Sequence, residues 1–163
     1  MIRLDVLRAG AGARLLGGLA LLAAAGCATG APPPDPVDRP TTDRSASRSR
    51  VVATALKYVG APYARGGSSP AGFDCSGFVM FVYRHVGVSL PHNAEKQYRL
   101  GSPVRRDRLE PGDLVFFDRL GHSGIYIGRG RFVHATKPGD VVKVSELDER
   151  WYRHRWVGAR RLF

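Results

Sequence analysis

The spacing of apolar residues changes near Pro111, Gly112 and Asp113, and this change constrains the fold more than any other feature of the chain. Upstream, apolar side chains recur every three or four residues, as they do between Val51 and Val59, which predicts amphipathic helices. Downstream, short apolar runs are separated by turn signals, which predicts strands. Helices followed by strands indicate an α+β fold, in which N-terminal helices pack on an antiparallel β-sheet.

The boundaries of the predicted elements follow from glycine and proline positions. Gly60, Gly87 and Gly101 are stop signals for helices predicted over 47–59, 74–86 and 92–100. A loop is predicted over 61–72, strands over 114–117, 123–128, 131–136, 141–144 and 156–163, and a short helix or turn over 145–152. The Arg129-Gly130 turn predicts that the second and third strands form a hairpin.

Residues 1–26 are typical of an export signal. Three arginines precede an apolar stretch, 15–25, that is too short to remain as a membrane-spanning helix. The small residues before Cys27 resemble a bacterial lipobox, although Ala24 stands where leucine is usual. We therefore expect a lipid on Cys27 and a membrane-anchored protein facing the periplasm or cell wall, at the outer membrane if the cell has one. The alternative is ordinary cleavage nearby, which leaves a soluble secreted protein.

The segment after Cys27 has the composition of a tether. Residues 27–46 hold five prolines, followed by threonine, serine and arginine, without apolar periodicity. Such a segment is semi-rigid where proline is dense and flexible after it. Residues 47–163 remain as one compact domain of ordinary size, predicted to be monomeric.

The charge of the chain favours an anionic partner. The formal net charge is +11, and residues 1–26 hold three arginines and one aspartate, so the remainder carries +9. An export signal argues against nucleic acid, which leaves wall polymers, acidic headgroups or carboxylate-rich peptides as candidates. The alternative is a solvated basic surface without a specific partner.

One cysteine and two histidines suggest a cysteine hydrolase. With Cys27 lipidated, Cys75 is a lone thiol, and it lies at the predicted helix N-terminus after the N-cap candidate Asp74, where the helix dipole favours a thiolate. His122 begins a predicted strand and is expected to be the base. His134 lies on the neighbouring strand and is expected to orient His122. The alternative for Cys75 is a small buried hydrophobe.

The same pattern offers donors for an oxyanion hole but no ligands for a metal. The backbone N–H of Cys75 is one oxyanion donor, and Tyr63 is a candidate second donor, although loop tyrosines more often pack. The sequence has no CxxC and no HExxH, so we expect no metal and no cofactor. His85 and His154 are expected at the surface, His92 in a cleft or facing water, and Trp151 and Trp156 in the core.

Several motifs resemble the NlpC-type cell-wall peptidases of the papain-like superfamily. They occur in family order over 47–163: Gly60-Ala61-Pro62-Tyr63, Phe73-Asp74-Cys75-Ser76-Gly77-Phe78-Val79, Leu109 to Phe117, Gly121-His122-Ser123-Gly124-Ile125, Phe132-Val133-His134-Ala135 and Val157 to Arg161. One departure is Pro91-His92, where the family often has Pro-Arg.

The resemblance implies a fold and site roles. It implies a papain-like NlpC-type fold with Cys75 as nucleophile at a helix N-terminus, His122 as base and His134 as the third member. Tyr63 would help form the oxyanion hole, and Asp74 and Ser76 would shape the substrate site. It also implies hydrolysis of an amide bond in peptidoglycan stem peptides, near diaminopimelate. An amidase or acyltransferase on the same fold, or a catalytically silent wall-binding lipoprotein, are the alternatives.

Overall fold

The computed structural model of the protein describes residues 41–163, with side chains from residue 43 onward. The predicted export signal, the lipidation site Cys27 and most of the predicted tether lie outside the described residues. No helix within the described part of the chain is long and apolar enough to cross a membrane.

The described chain forms four α-helices and eight strands. The helices are α1 (Thr41–Lys57), α2 (Cys75–Arg84), α3 (Ala94–Tyr98) and α4 (Arg150–Arg155). The strands are β1 (Ser68–Ser69), β2 (Gly72–Phe73), β3 (Ser102–Val104), β4 (Leu114–Phe117), β5 (His122–Gly128), β6 (Arg131–Ala135), β7 (Val142–Glu146) and β8 (Trp156–Arg161). Short 3₁₀ turns occur at Arg106–Arg108 and Asp118–Leu120.

The main sheet is antiparallel and has two differently covered faces. Its strand order is β3-β8-β4-β5-β6-β7, and β1 and β2 form a separate small hairpin. Alternation along the strands sends successive side chains to opposite faces. One face packs on the helices through a core that includes Val51, Phe78, Val79, Val82, Leu114, Phe116 and Ile125. The other face buries Val115, Phe117, Phe132, Leu147 and Ala159 under Tyr152 and Trp156.

The predicted α+β fold with an antiparallel sheet is confirmed. The hairpin is also present, since β5 pairs with β6 across the Arg129-Gly130 turn. Arg129 and Gly130 both have positive φ, which matches the right-handed twist of the flanking strands.

Three differences from the prediction have a clear physical reason. Helix α1 begins at Thr41, so the helix predicted to start at residue 47 starts six residues earlier, within the segment predicted as tether. The first turns of α1 are polar and have Asp43 in the favourable N-terminal position, so apolar periodicity alone does not reveal them. Helix α4 begins only at Arg150, because Ser145 and Glu146 extend β7. Strand β3 was not predicted, since it is a short, largely exposed edge strand that contains Pro103.

Candidate active site

Asp74 fixes the start of α2, and therefore the position of Cys75. Its carboxylate accepts hydrogen bonds from the backbone N–H of Gly77 at 2.7 Å and from the N–H of Gly66 at 3.0 Å. The Ser76 hydroxyl donates to the same carboxylate at 3.1 Å. This is an N-cap that also ties the preceding loop to the helix. Gly77 is required here, because a Cβ would lie 2.1 Å from the Gly67 carbonyl oxygen.

His92 contacts the other side of Asp74. Its Nε2 lies 2.8 Å from Oδ1 and 2.9 Å from Oδ2 of that carboxylate. The sequence left His92 either in a cleft or facing water, and the structure gives it a direct role in holding the N-cap. His92 stands where the resembled family often has arginine, so an imidazole and not a guanidinium contacts Asp74 here.

Cys75 is the first residue of α2 and is half-buried. Its Sγ lies 3.9 Å from the carbonyl oxygen of Gly121, the residue before His122. Burial raises the pKa of the Cys75 thiol, and the charge of Asp74 raises it further, against hydrogen bonds from Ser123 and Ser76 that lower it. The sequence-based expectation of a thiolate favoured by the helix dipole is therefore opposed by burial, and the thiol needs a base to remove its proton.

His122 and His134 form a directly bonded pair. Neighbouring strands β5 and β6 bring His122 Nε2 to 2.7 Å from His134 Nδ1, and both side chains are buried. His134 Nε2 lies 3.1 Å from Ser145 Oγ and 3.2 Å from the Tyr152 hydroxyl. The remaining ring nitrogen of His122 is Nδ1.

One set of tautomers in this hydrogen-bond chain leaves His122 able to act as a base. If His122 Nδ1 is to accept a proton, Nε2 of that ring carries the hydrogen and donates it to Nδ1 of His134. His134 then carries its hydrogen on Nε2 and donates to Ser145 or Tyr152. The hydroxyls of those two residues can accept this hydrogen bond, and His134 in turn accepts the one from His122.

Burial keeps both histidines neutral. It lowers the pKa of His122 to about 4, with a small opposing effect of Asp118. It lowers the pKa of His134 to about 2, with further lowering by the charges of His122 and Lys143. A neutral imidazole at His122 is the form that can act as a base.

Gly124 allows β6 to approach closely enough for this pairing. A Cβ at position 124 would lie 2.7 Å from a Phe132 ring carbon, 2.9 Å from the Val133 carbonyl oxygen and 3.1 Å from the His134 Cβ. Any side chain there would push the strand that carries His134 away from His122.

Tyr63, Asp74 and Ser76, which were also predicted for the site, each lie near Cys75 but in different surroundings. Tyr63 is half-buried, and its pKa is raised by burial and then by the charges of Cys75 and Asp74, so the phenol lies in the electrostatic reach of the thiol. Ser76 is buried under the first turn of α2, where its carbonyl oxygen accepts from Gln97 Nε2 at 2.9 Å. Asp74 and Ser76 thus support the helix start, and their role in substrate binding, like that of Tyr63, stays a prediction.

A cavity opens beside His122. Its volume is about 290 Å³, and its lining consists of His122, Thr136, Lys137, Asp140, Lys143, Trp151 and Tyr152. Trp151 is 41% exposed, so the prediction that it lies in the core is wrong. Trp156 packs edge-on against Phe117 with ring centroids 5.7 Å apart, as expected of a core residue. Within residues 43–163 no cluster of His, Cys, Asp or Glu has an arrangement that would hold a metal ion.

Sequence reasoning missed the residues that α4 and β7 contribute to the site. Ser145 and Tyr152 contact His134, and Trp151 and Lys143 line the cavity. The available signal was the aromatic pair Trp151-Tyr152 beside a basic run, but no local pattern tells which strand a short helix will cover.

Known proteins match most of the described domain in sequence and in fold. The family model described as "NlpC/P60 family" matches residues 60–161. A probable endopeptidase of Mycobacterium tuberculosis is 47% identical over 102 residues, which are 62% of this chain and 26% of the relative. Murein DD-endopeptidase MepH of Escherichia coli is 39% identical over 116 residues, covering 66% of this chain and 43% of MepH. The chain thus matches less than half of the length of these relatives.

A solved structure has the same fold. The peptidoglycan hydrolase RipB of Mycobacterium tuberculosis superimposes with a TM-score of 0.68 at 27% identity, over 77% of this chain and 69% of RipB. The superposition covers the larger part of both chains, so the α+β architecture described above is that of the family.

The buried histidine pair makes stability depend on pH. Unfolded histidines bind protons near pH 6.5, whereas folded His122 does so only near pH 4 and folded His134 near pH 2. The contribution of the two histidines to the free energy of unfolding is therefore largest above pH 6.5. It falls as the pH is lowered towards 4, by up to about 1.4 kcal/mol per pH unit for each histidine. Urea denaturation between pH 7 and 4.5 measures this slope. The double variant His122→Gln, His134→Gln should have a shallower slope than wild type, and equal slopes would contradict the assignment.

Proposed function

Because the chain belongs to the NlpC/P60 family, we propose that it is a cysteine peptidase that hydrolyses an amide bond in peptidoglycan stem peptides by a Cys-His-His mechanism. The observation that carries the proposal is the neutral, buried His122–His134 pair. His122 begins β5, and Gly121, the residue before it, contacts the Cys75 thiol. The names of relatives, an endopeptidase of murein and a peptidoglycan hydrolase, support the substrate class.

The first half of the reaction forms a thioester. His122 Nδ1 removes the thiol proton as Cys75 Sγ attacks the scissile carbonyl carbon, and His134 stabilises the resulting imidazolium through its Nδ1. The backbone N–H of Cys75 and the phenol of Tyr63 donate to the oxyanion. The tetrahedral intermediate collapses as His122 gives its proton to the leaving amine, which departs with the C-terminal part of the peptide.

The second half restores the enzyme. A water molecule takes the place of the leaving amine, and neutral His122 removes its proton as the oxygen attacks the thioester carbonyl. The carbon–sulfur bond breaks, the new carboxylate leaves, and the proton returns to the Cys75 sulfur. No group outside the chain is needed for either half.

The cavity beside His122 suits an anionic residue on the leaving side. Lys143 is paired with Asp140 at 2.8 Å, whereas Lys137 is exposed and has no acidic partner among residues 43–163. The ammonium group of Lys137 is therefore the unpaired charge in the described lining of this cavity, and it lies near the aromatic rings of Trp151 and Tyr152. A carboxylate on a long side chain, such as that of diaminopimelate, fits this combination of charge and apolar surface.

The proposal includes a lipid anchor at Cys27. Support comes from the sequence: an apolar stretch, small residues before Cys27 and a proline-rich segment after it. A lipid on Cys27 would hold the domain at a membrane surface, facing the periplasm or wall, and the segment up to α1 would set its reach.

We expect Cys75→Ala to lower product release from purified muropeptides by about 10³-fold or more, because the nucleophile is lost. Mass spectrometry of crosslinked and uncrosslinked muropeptides measures the rate and names the bond. New termini within the stem peptide identify an endopeptidase, peptide freed from the sugar an amidase, and a new acyl bond a transferase. His85→Asn, at the far exposed end of α2, is the control and should keep the wild-type rate. Equal product from Cys75→Ala and wild type would refute the mechanism.

We expect Lys137→Gln to raise KM about threefold for peptides with a free carboxylate on the leaving residue, the effect of an exposed ion pair of about 0.6 kcal/mol. Amidating that carboxylate should remove the difference between the variant and wild type. Lys137→Arg keeps the charge and is the matched control. If Lys137→Gln changes KM equally for the free and amidated substrates, the cavity does not select for the carboxylate.

We expect Cys27→Ser to move the protein from the membrane fraction to the soluble fraction of a bacterial host that processes lipoproteins. Mass spectrometry of the N-terminal peptide should find a lipid on Cys27 of the wild type and none on the variant. A soluble wild-type protein without lipid would favour ordinary signal cleavage instead.

A further inference from the structure

Ser123 has a buried hydroxyl that the mechanism above does not use. The residue follows His122 on β5 and is fully buried. Its Oγ has no hydrogen-bond partner within the part of the chain that the structure describes. A buried hydroxyl without a partner lowers stability, so its presence in a packed sheet calls for a compensating role.

The geometry of β5 directs this hydroxyl to the side of α2. Ser123 pairs with Phe116, and Ile125 pairs with Leu114, and the side chains of Phe116, Ile125 and Leu114 all belong to the core that contains α2. His122 pairs with Phe117, which belongs to the core on the opposite face. Adjacent residues of one strand therefore serve the two sides of the sheet.

Cys75 lies on the same side as Ser123. Its sulfur is 3.9 Å from the carbonyl oxygen of Gly121, two residues before Ser123 on the same segment. The backbone N–H and the hydroxyl of Ser123 are both in reach of the sulfur, and each lowers the pKa of the thiol. The Ser123 hydroxyl thus faces the one atom of the site on which negative charge develops first.

The charge on sulfur decides whether the hydroxyl is satisfied. A neutral thiol is a weak acceptor, and that of Cys75 directs its own hydrogen towards Gly121. A thiolate is a full anion and accepts strong, charge-assisted hydrogen bonds. The hydroxyl of Ser123 is therefore unpaired while Cys75 is neutral and becomes paired when Cys75 loses its proton to His122.

We propose that Ser123 is a further residue of the catalytic site, whose hydroxyl donates a hydrogen bond to the Cys75 thiolate and stabilises it against the burial and the Asp74 charge that oppose it. The proposal rests on the proposed function only in taking Cys75 as the nucleophile. It assigns to this serine a role in the ionisation of sulfur that neither histidine supplies.

The test measures thiolate directly, without peptide substrate. In the full chain carrying Cys27→Ser, Cys75 is the only cysteine, and the rate of its alkylation by iodoacetamide between pH 5 and 10 follows its ionisation. We expect Ser123→Ala to move the midpoint of this profile upward by about one pH unit, which is about tenfold slower alkylation at neutral pH. A merely structural role for the hydroxyl would not move the midpoint.

Two pairs of variants separate the hydroxyl from packing. Ser123→Thr and Ser123→Val have the same shape, but only threonine keeps the hydroxyl, so we expect threonine to retain the wild-type midpoint and valine to shift like alanine. Val51→Ala removes buried atoms from the contact of α1 with the core, away from the sulfur, and should leave the midpoint unchanged. An unshifted profile for Ser123→Ala, or equal shifts for threonine and valine, would overturn the proposal.

The outcome is independent of whether the substrate has been identified correctly. If no muropeptide is cleaved but the alkylation midpoint shifts, the assignment of Ser123 stands and the proposed function fails. If muropeptides are cleaved and the midpoint does not shift, the proposed function stands and Ser123 is not part of the site. When both hold, kcat/KM of Ser123→Ala should fall most at low pH and recover towards wild type as the pH is raised.

Discussion

The hydrogen bonds of Asp74 determine where the nucleophile stands. This one carboxylate caps α2 through Gly77, holds the preceding loop through Gly66, and is itself held by His92. The same charge raises the pKa of the thiol it positions. The site therefore accepts an electrostatic cost at Cys75 in return for a fixed helix start, and the base and the hydrogen-bond donors near the sulfur have to offset that cost.

Burial shifts the pKa values of the sulfur and of the imidazoles in opposite directions, and both shifts favour the neutral thiol–imidazole pair over the thiolate–imidazolium pair. It raises the pKa of Cys75 and lowers that of His122 to about 4, so the resting site is uncharged at neutral pH. In the proposed mechanism, the thiolate–imidazolium pair then forms only as the substrate is attacked. A free lone pair on Nδ1 of His122 requires donation to run from His122 through His134 to Ser145 or Tyr152.

Local patterns in the sequence were sufficient for the parts of the site that lie on one element or one hairpin. Cys75 follows an N-cap aspartate, and His122 and His134 lie on strands joined by a two-residue turn, so their proximity follows from the turn. Tyr152, Ser145 and the cavity residue Trp151 could not be found in this way, because β7 and α4 reach the histidines only through tertiary packing. The polar start of α1 was missed for a related reason: its turns have no apolar stripe, and capping and charge stabilise them.

The two-residue period of a strand explains why His122 and Ser123, which are adjacent on β5, face opposite sides of the sheet. His122 faces the core shared with Phe117 and Phe132, where burial keeps the imidazole neutral and Nε2 contacts His134. Ser123 faces α2, where the sulfur is. A one-residue shift of β5 would exchange these faces, placing a hydroxyl against His134 and an imidazole under the helix. The register of β5 is fixed on both sides by pairing with β4 and β6, and Gly124 permits the close approach of β6. The catalytic geometry is thus a property of strand register as much as of the residues themselves.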